Sequence, residues 1–121
     1  MPKILLAEDD NLTRATLGNF LRAKGYEVEL AEDGARAISL LKENEFDLIV
    51  SDVVMPNVNG WDLLDHVGSI SPDTPVLLMT AYAQPQSRQA HSRAAPELIL
   101  KPLVLTELLS KIQQILDQKT A

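Results

Sequence analysis

Short apolar runs alternate with helical patterns along the whole chain. The runs are Ile4 to Ala7, Tyr26 to Ala31, Phe46 to Val50, Val76 to Met79 and Leu98 to Leu100. Each has the length of a strand and is too short for a buried helix. Between them apolar residues recur at helical spacing. Leu17, Phe20 and Leu21 mark a helix over about Leu12 to Lys24, with Gly25 at its C-terminal turn. Asp33 is placed to cap a second helix reaching about Glu43, with Ala37, Ile38 and Leu41 as its inner stripe. A short third helix runs from Trp61 to about Gly68. Pro85 to Ala95 is polar and weakly periodic, so a fourth helix there is expected to be short or irregular. The last helix carries Leu105, Leu108, Leu109, Ile112, Ile115 and Leu116 on one face. Val104 stands at its start, where Ser, Thr or Asp is the expected cap.

Strict alternation of strand and helix implies a parallel sheet with helices on both faces. Four runs are almost continuously apolar, as buried strands are. The second alternates, with Tyr26, Val28 and Leu30 on one side and Glu27 and Glu29 on the other, as an edge strand does. This pattern fits an α/β, flavodoxin-like (βα)5 fold with strand order 2-1-3-4-5. That order also puts the apolar last strand at an edge, where flanking helices have to cover it. A length of 121 residues suits one domain over 1–121.

Eleven Lys and Arg against 17 Asp and Glu leave a net charge of −6. That balance argues against direct binding to nucleic acid or to an anionic membrane. The absence of cysteine excludes disulfides, thiolate metal sites and a cysteine nucleophile. No run is long enough for a transmembrane helix, and Met1-Pro2-Lys3 enters the first strand without a signal-peptide pattern. A cytoplasmic protein is expected. The polar tail Gln118 to Ala121 reads equally as a true end or as the start of a linker.

In an open α/β sheet, ligands bind beyond the carboxyl ends of the strands. Strand one ends in Glu8-Asp9-Asp10, strand three in Asp52, strand four in Thr80 and strand five in Lys101. The proposed order brings carboxylates, a hydroxyl and an ammonium to one edge. Crowded carboxylates repel, so Asp9→Asn or Asp52→Asn is expected to raise metal-free stability by about 1 kcal/mol. An all-oxygen acidic pocket suits Mg²⁺ (or Mn²⁺) with open water positions. Metal and lysine then hold phosphate oxygens while an aspartate attacks phosphorus. Nucleotide loops are missing, since Asp10-Asn11-Leu12 follows the first strand instead of a glycine-rich turn. His66 and His91 have no partner at ligand spacing and read as exposed helix residues. Trp61 reads as half-buried packing.

Taken together, Ile4 to Asp10, Asp47 to Asp52, Met55-Pro56 with Gly60, Met79-Thr80-Ala81 and Lys101-Pro102 resemble the receiver domain of two-component response regulators. The resemblance spans almost the whole chain in order. It implies a phosphoacceptor signalling switch with at most weak self-phosphorylation and self-dephosphorylation, not a turnover enzyme. Asp52 is implied as the phosphoacceptor, Thr80 as the switch hydroxyl and Lys101 as the phosphate-binding lysine. Glu8, Asp9, Asp52 and the backbone carbonyl of Val54 are implied as the metal site, with Asp9 a direct ligand and Glu8 acting through water. Asp10 reads as a first-turn helix charge. The Lys101–Pro102 bond is implied to be cis. The implied partners are a sensor histidine kinase or phosphotransfer protein and a downstream effector or output domain. The apolar stripe of the last helix is core first and also compatible with a phosphorylation-linked homodimer. One departure stands out: where the family often carries an aromatic, three residues before the lysine, this chain has Leu98. Two rivals share the fold. One is a small aspartyl-phosphate phosphohydrolase, which needs an acid for the leaving group that Val54 does not supply. The other is a phosphorylation-independent interaction module.

Overall fold

Period-two alternation within the apolar runs is what builds the molecule. In β1 (Lys3–Ala7), Ile4 and Leu6 face one side and Leu5 and Ala7 the other. In β3 (Leu48–Asp52), Leu48 and Val50 oppose Ile49. In β4 (Val76–Thr80), Leu77 and Met79 oppose Val76 and Leu78. Each strand therefore feeds two cores, as a doubly covered parallel sheet requires. The computed structural model describes residues 1–81 and 97–120, and within them five parallel strands lie in the order β2-β1-β3-β4-β5. β2 (Glu27–Ala31) and β5 (Glu97–Leu100) are the edges. The register pairs Leu6 with Val50 and Asp52 with Met79, which levels the strand ends that carry the acids.

Helices α1 (Asn11–Ala23) and α4 (Leu105–Thr120) close one face, placing Leu17, Leu21, Leu108 and Ile112 on Ile4, Leu48 and Leu77. Helices α2 (Gly34–Glu43) and α3 (Gly60–Ile70) close the other, with Leu40, Leu41, Leu63 and Leu64 over Leu5, Ile49 and Leu78. The expected irregular helix at 85–95, and His91 with it, lie outside the described residues. β5 is covered only in part: Leu98 packs into one core and Ile99 into the other, while Leu100 stays 49% exposed. Lys111 on α4 pairs with Glu97 at 3.0 Å.

Local chemistry sets the helix ends. Asp33 and Asn59 cap α2 and α3 by accepting from the backbone N–H of Arg36 and Asp62. Asp10 caps α1, accepting from the Thr13 N–H, so it is the cap itself and not a first-turn charge. Val104 precedes α4 without a capping side chain, and its carbonyl accepts the Leu108 N–H at 3.0 Å. Trp61 is buried, not half-buried, because it packs into the same core as Leu64 and Leu78. No helix among the described residues is long and apolar enough to cross a membrane.

Candidate functional site

The carboxyl ends of β1, β3, β4 and β5 meet at one end of the sheet. Asp52, the last residue of β3, is buried, and Thr80, the last of β4, is buried beside it in sequence register with Leu100. Lys101 follows β5, and its N–H donates to the Thr80 carbonyl at 2.8 Å. From there the Lys101 ammonium reaches Oδ2 of Asp52 at 2.7 Å. The Lys101–Pro102 peptide is cis.

Glu8 and Asp9 leave β1 in opposite environments. Glu8 is buried and Asp9 exposed. Oε2 of Glu8 accepts the Asp10 N–H at 3.0 Å, whereas Oε1 is buried with no hydrogen-bond partner. Burial pushes the Glu8 carboxyl from 4.5 up to about 7, with the negative charge of Asp52 adding to the rise. One carboxylate oxygen from each of Glu8, Asp9 and Asp52 falls within 4.8 Å of the others. A buried oxygen lacking a donor, inside a cluster of three carboxylates, is a fit for a hard divalent cation. Val54 lies two residues past Asp52, 70% exposed as a residue, with its N–H 3.4 Å from Oδ1 of Asp52.

Gly60 fixes where β3 ends. Its N–H donates to the Val53 carbonyl at 2.8 Å, and a Cβ there would stand 2.7 Å from the Asp52 carbonyl oxygen. Only glycine lets α3 start this close to the end of β3. The loop before it is held from the other side. Asn57, at φ +70°, donates to Asp33 at 3.4 Å, and Val58 packs against Gly34.

The acids, Thr80 and Lys101 singled out in the sequence therefore converge on one end of the sheet. A cleft of about 580 Å³ opens there, bounded by Glu8, Asp9, Asp52 and Lys101 on one side and by Leu12, Leu103 and Leu105 on another. Leu98 packs inward against the α2/α3 core, in register with Leu78. His66 lies exposed on α3, away from this cluster. Arg14 also reaches this end of the sheet: its Nη1 donates to the Glu8 carbonyl at 2.9 Å. It is the fourth residue of α1, a place from which a side chain points back toward the loop before the helix.

The family model for the response regulator receiver domain matches residues 4–113. The chain is 36% identical over 115 residues to the response regulator MprA of Mycobacterium sp. (strain KMS), covering 94% of this chain and 50% of that protein. It thus spans about half the length of the curated relatives it matches. Among solved structures, a CheY-like receiver domain protein from Methanospirillum hungatei JF-1 superposes with a TM-score of 0.90 at 27% identity, covering 99% of this chain and 97% of that one. The receiver domain of the sensor histidine kinase PA1611 from Pseudomonas aeruginosa PAO1, with magnesium coordinated in its active-site cleft, superposes with a TM-score of 0.84 at 25% identity, covering 96% and 98%. Fold, site placement and sequence match agree: this chain belongs to the response regulator receiver domain family.

Proposed function

We propose that the chain is a phosphoacceptor switch of a two-component phosphorelay, in which Asp52 receives a phosphoryl group from a partner's phosphohistidine. The observation that carries this reading is the buried Asp52 carboxylate, paired with Lys101 and clustered with Glu8 and Asp9. A carboxylate oxygen of Asp52 attacks phosphorus, the P–N bond to the partner's imidazole breaks, and the nitrogen leaves with the bonding pair. Lys101 holds a phosphoryl oxygen and offsets the charge that develops there. Thr80 supplies a hydroxyl to the new phosphoryl group, and its backbone bond to Lys101 passes the change to β5 and α4.

Glu8, Asp9, Asp52 and the Val54 carbonyl would hold Mg²⁺ or Mn²⁺, which when bound supplies positive charge to the phosphoryl oxygens. Asp9 is assigned as a direct ligand and Glu8 as acting through water. The partners in this reading are a sensor histidine kinase or phosphotransfer protein and a downstream effector or output domain, all met in the cytoplasm. A phosphorylation-linked homodimer is one form the output takes. The whole of 1–121 acts as one receiver domain. Release of the phosphoryl group is weak self-dephosphorylation, and the chain does not turn over phosphate esters, because Val54 offers no acid to an ester's leaving oxygen.

The test is acid-labile labelling by acetyl phosphate in Mg²⁺. Asp52→Asn should abolish it. Asp10→Asn should keep it, since Asn caps α1 as well as Asp does. Labelling that persists in Asp52→Asn rejects the assignment. Steady turnover of phosphate esters would favour a phosphohydrolase. A chain that takes no label and shows no change in Trp61 fluorescence with Mg²⁺ and beryllofluoride is an interaction module on the same fold.

A further inference from the structure

We propose that Arg14 is a positioning residue for the acidic pocket, clamping the β1–α1 loop so that the Glu8 and Asp9 carboxylates stand ready for a divalent cation. The inference rests on the functional reading above. Arg14 Nη1 donates to the Glu8 carbonyl at 2.9 Å and makes a longer contact, 3.5 Å, with the Asp9 carbonyl. Its Nη2 donates to Oδ1 of Asn11 at 2.5 Å, which locks the guanidinium against the first turn of α1.

The geometry joins this clamp to the carboxylates themselves. The Asp9–Asp10 peptide unit is held at both ends: its carbonyl faces Arg14, and its N–H donates to Oε2 of Glu8 at 3.0 Å. That second bond occupies Oε2 and leaves Oε1 buried and unpartnered on a residue that contributes an oxygen to the cluster. The orientation of the Glu8 carboxylate thus follows from the orientation of a peptide that Arg14 grips. Three carboxylates this close repel one another, and a loop without the clamp relaxes by spreading them. The planar fork of arginine holds the loop carbonyls through Nη1 and Asn11 through Nη2 at once, whereas a lysine ammonium is a single point on a flexible stem.

The sign of the effect separates this role from a simple charge effect. Arg14 is a cation near an acidic pocket, so removing its charge alone should tighten binding of Mg²⁺. Removing a clamp should weaken it, by about tenfold, as losses of groups that orient metal ligands do. The experiment is calorimetric titration with Mg²⁺ alone, on the wild-type chain, Arg14→Met, Arg14→Lys and Arg22→Ala. Arg22 is the control, because it makes the same kind of bond at the other end of α1, to the Val28 carbonyl at 2.8 Å. The expected result is weaker Mg²⁺ binding in Arg14→Met, an intermediate loss in Arg14→Lys, and wild-type affinity in Arg22→Ala despite a lower Tm. Should Arg14→Met not fold, the Arg14→Lys loss carries the comparison. Unchanged or tighter binding in the folded Arg14 variants overturns the inference, as does an equal loss in Arg22→Ala. A wild-type chain that binds no Mg²⁺ overturns the functional reading, and this inference with it.

Discussion

The Lys101 ammonium sits 2.7 Å from Oδ2 of Asp52, joining the end of β5 to the end of β3 across 49 positions of sequence. The aspartate side chain is 7% exposed and the lysine 35%. The buried partner depends on the other: without Lys101, a carboxylate remains in a low-dielectric pocket beside Glu8. Lys101→Met should lower stability at neutral pH by about 1–2 kcal/mol, less than for a fully buried pair because the lysine is partly solvated. Urea unfolding in chelator measures this. The rate of acid-labile phosphorylation should fall by about tenfold or more in the same variant.

This pair also changes what Asp52→Asn is expected to do. Carboxylate crowding alone predicts a gain in metal-free stability, but the substitution also breaks the Lys101 pair. The two effects oppose, so the net change should stay within about 1 kcal/mol. Asp9 is exposed and its charge is screened by solvent, so Asp9→Asn should leave the metal-free Tm almost unchanged. Thermal unfolding of both variants in chelator checks the pair of expectations.

The cost of burial falls on Glu8. Its carboxyl is pushed from 4.5 up to about 7, first by burial and then by Asp52. The folded chain therefore holds a proton that the unfolded chain has already released between those two values. Metal-free stability should fall as pH rises from 4.5 to about 7, as far as Glu8 is concerned. Glu8→Gln removes that slope. Its amide oxygen accepts the Asp10 N–H and its NH₂ faces the neighbouring carboxylates. The variant should be more stable than wild type at about pH 8, by about 1–3 kcal/mol, and close to it at about pH 4. Chemical denaturation across this range in chelator measures the difference.

Mg²⁺ binding should carry the opposite dependence. A cation in this cluster needs Glu8 ionised, so binding displaces the proton that Glu8 holds below about 7. Affinity should rise with pH up to that value and level off above it. Titration calorimetry in two buffers of different ionisation enthalpy should show proton release on the acidic side. Glu8→Gln should abolish that release.

Gly60 packs directly against the backbone at the end of β3. An alanine Cβ would lie 2.7 Å from the Asp52 carbonyl oxygen and 2.9 Å from Val53 Cα, both backbone atoms that do not swing aside. Gly60→Ala should cost about 1–3 kcal/mol and slow phosphorylation by moving the end of β3. Gly25→Ala offers the contrast. Gly25 has φ +98° and open space around it, so its cost is conformational, about 1 kcal/mol, with no effect on the phosphorylation rate. Differential thermal unfolding and labelling kinetics distinguish the two.

Period and punctuation in the sequence determined most of the fold. Apolar runs of strand length, the charged side of Glu27 and Glu29, and the cap Asp33 are local signals, and β2 lies at an edge as its alternation requires. The residues at the strand ends were legible for the same reason, because a parallel sheet delivers every strand's carboxyl end to one side. What the linear chain did not contain was environment. Glu8 and Asp9 are neighbouring acids, yet one is buried with an unpartnered oxygen and the other faces solvent. That difference arises where Glu8 turns inward under the Asp10 N–H, within reach of the Lys101 charge. Arg14 and Gly60 likewise matter through backbone atoms they meet only after folding. Burial and distance between remote segments fix charge and affinity, and those are properties of the assembled sheet and its covering helices, not of residue order.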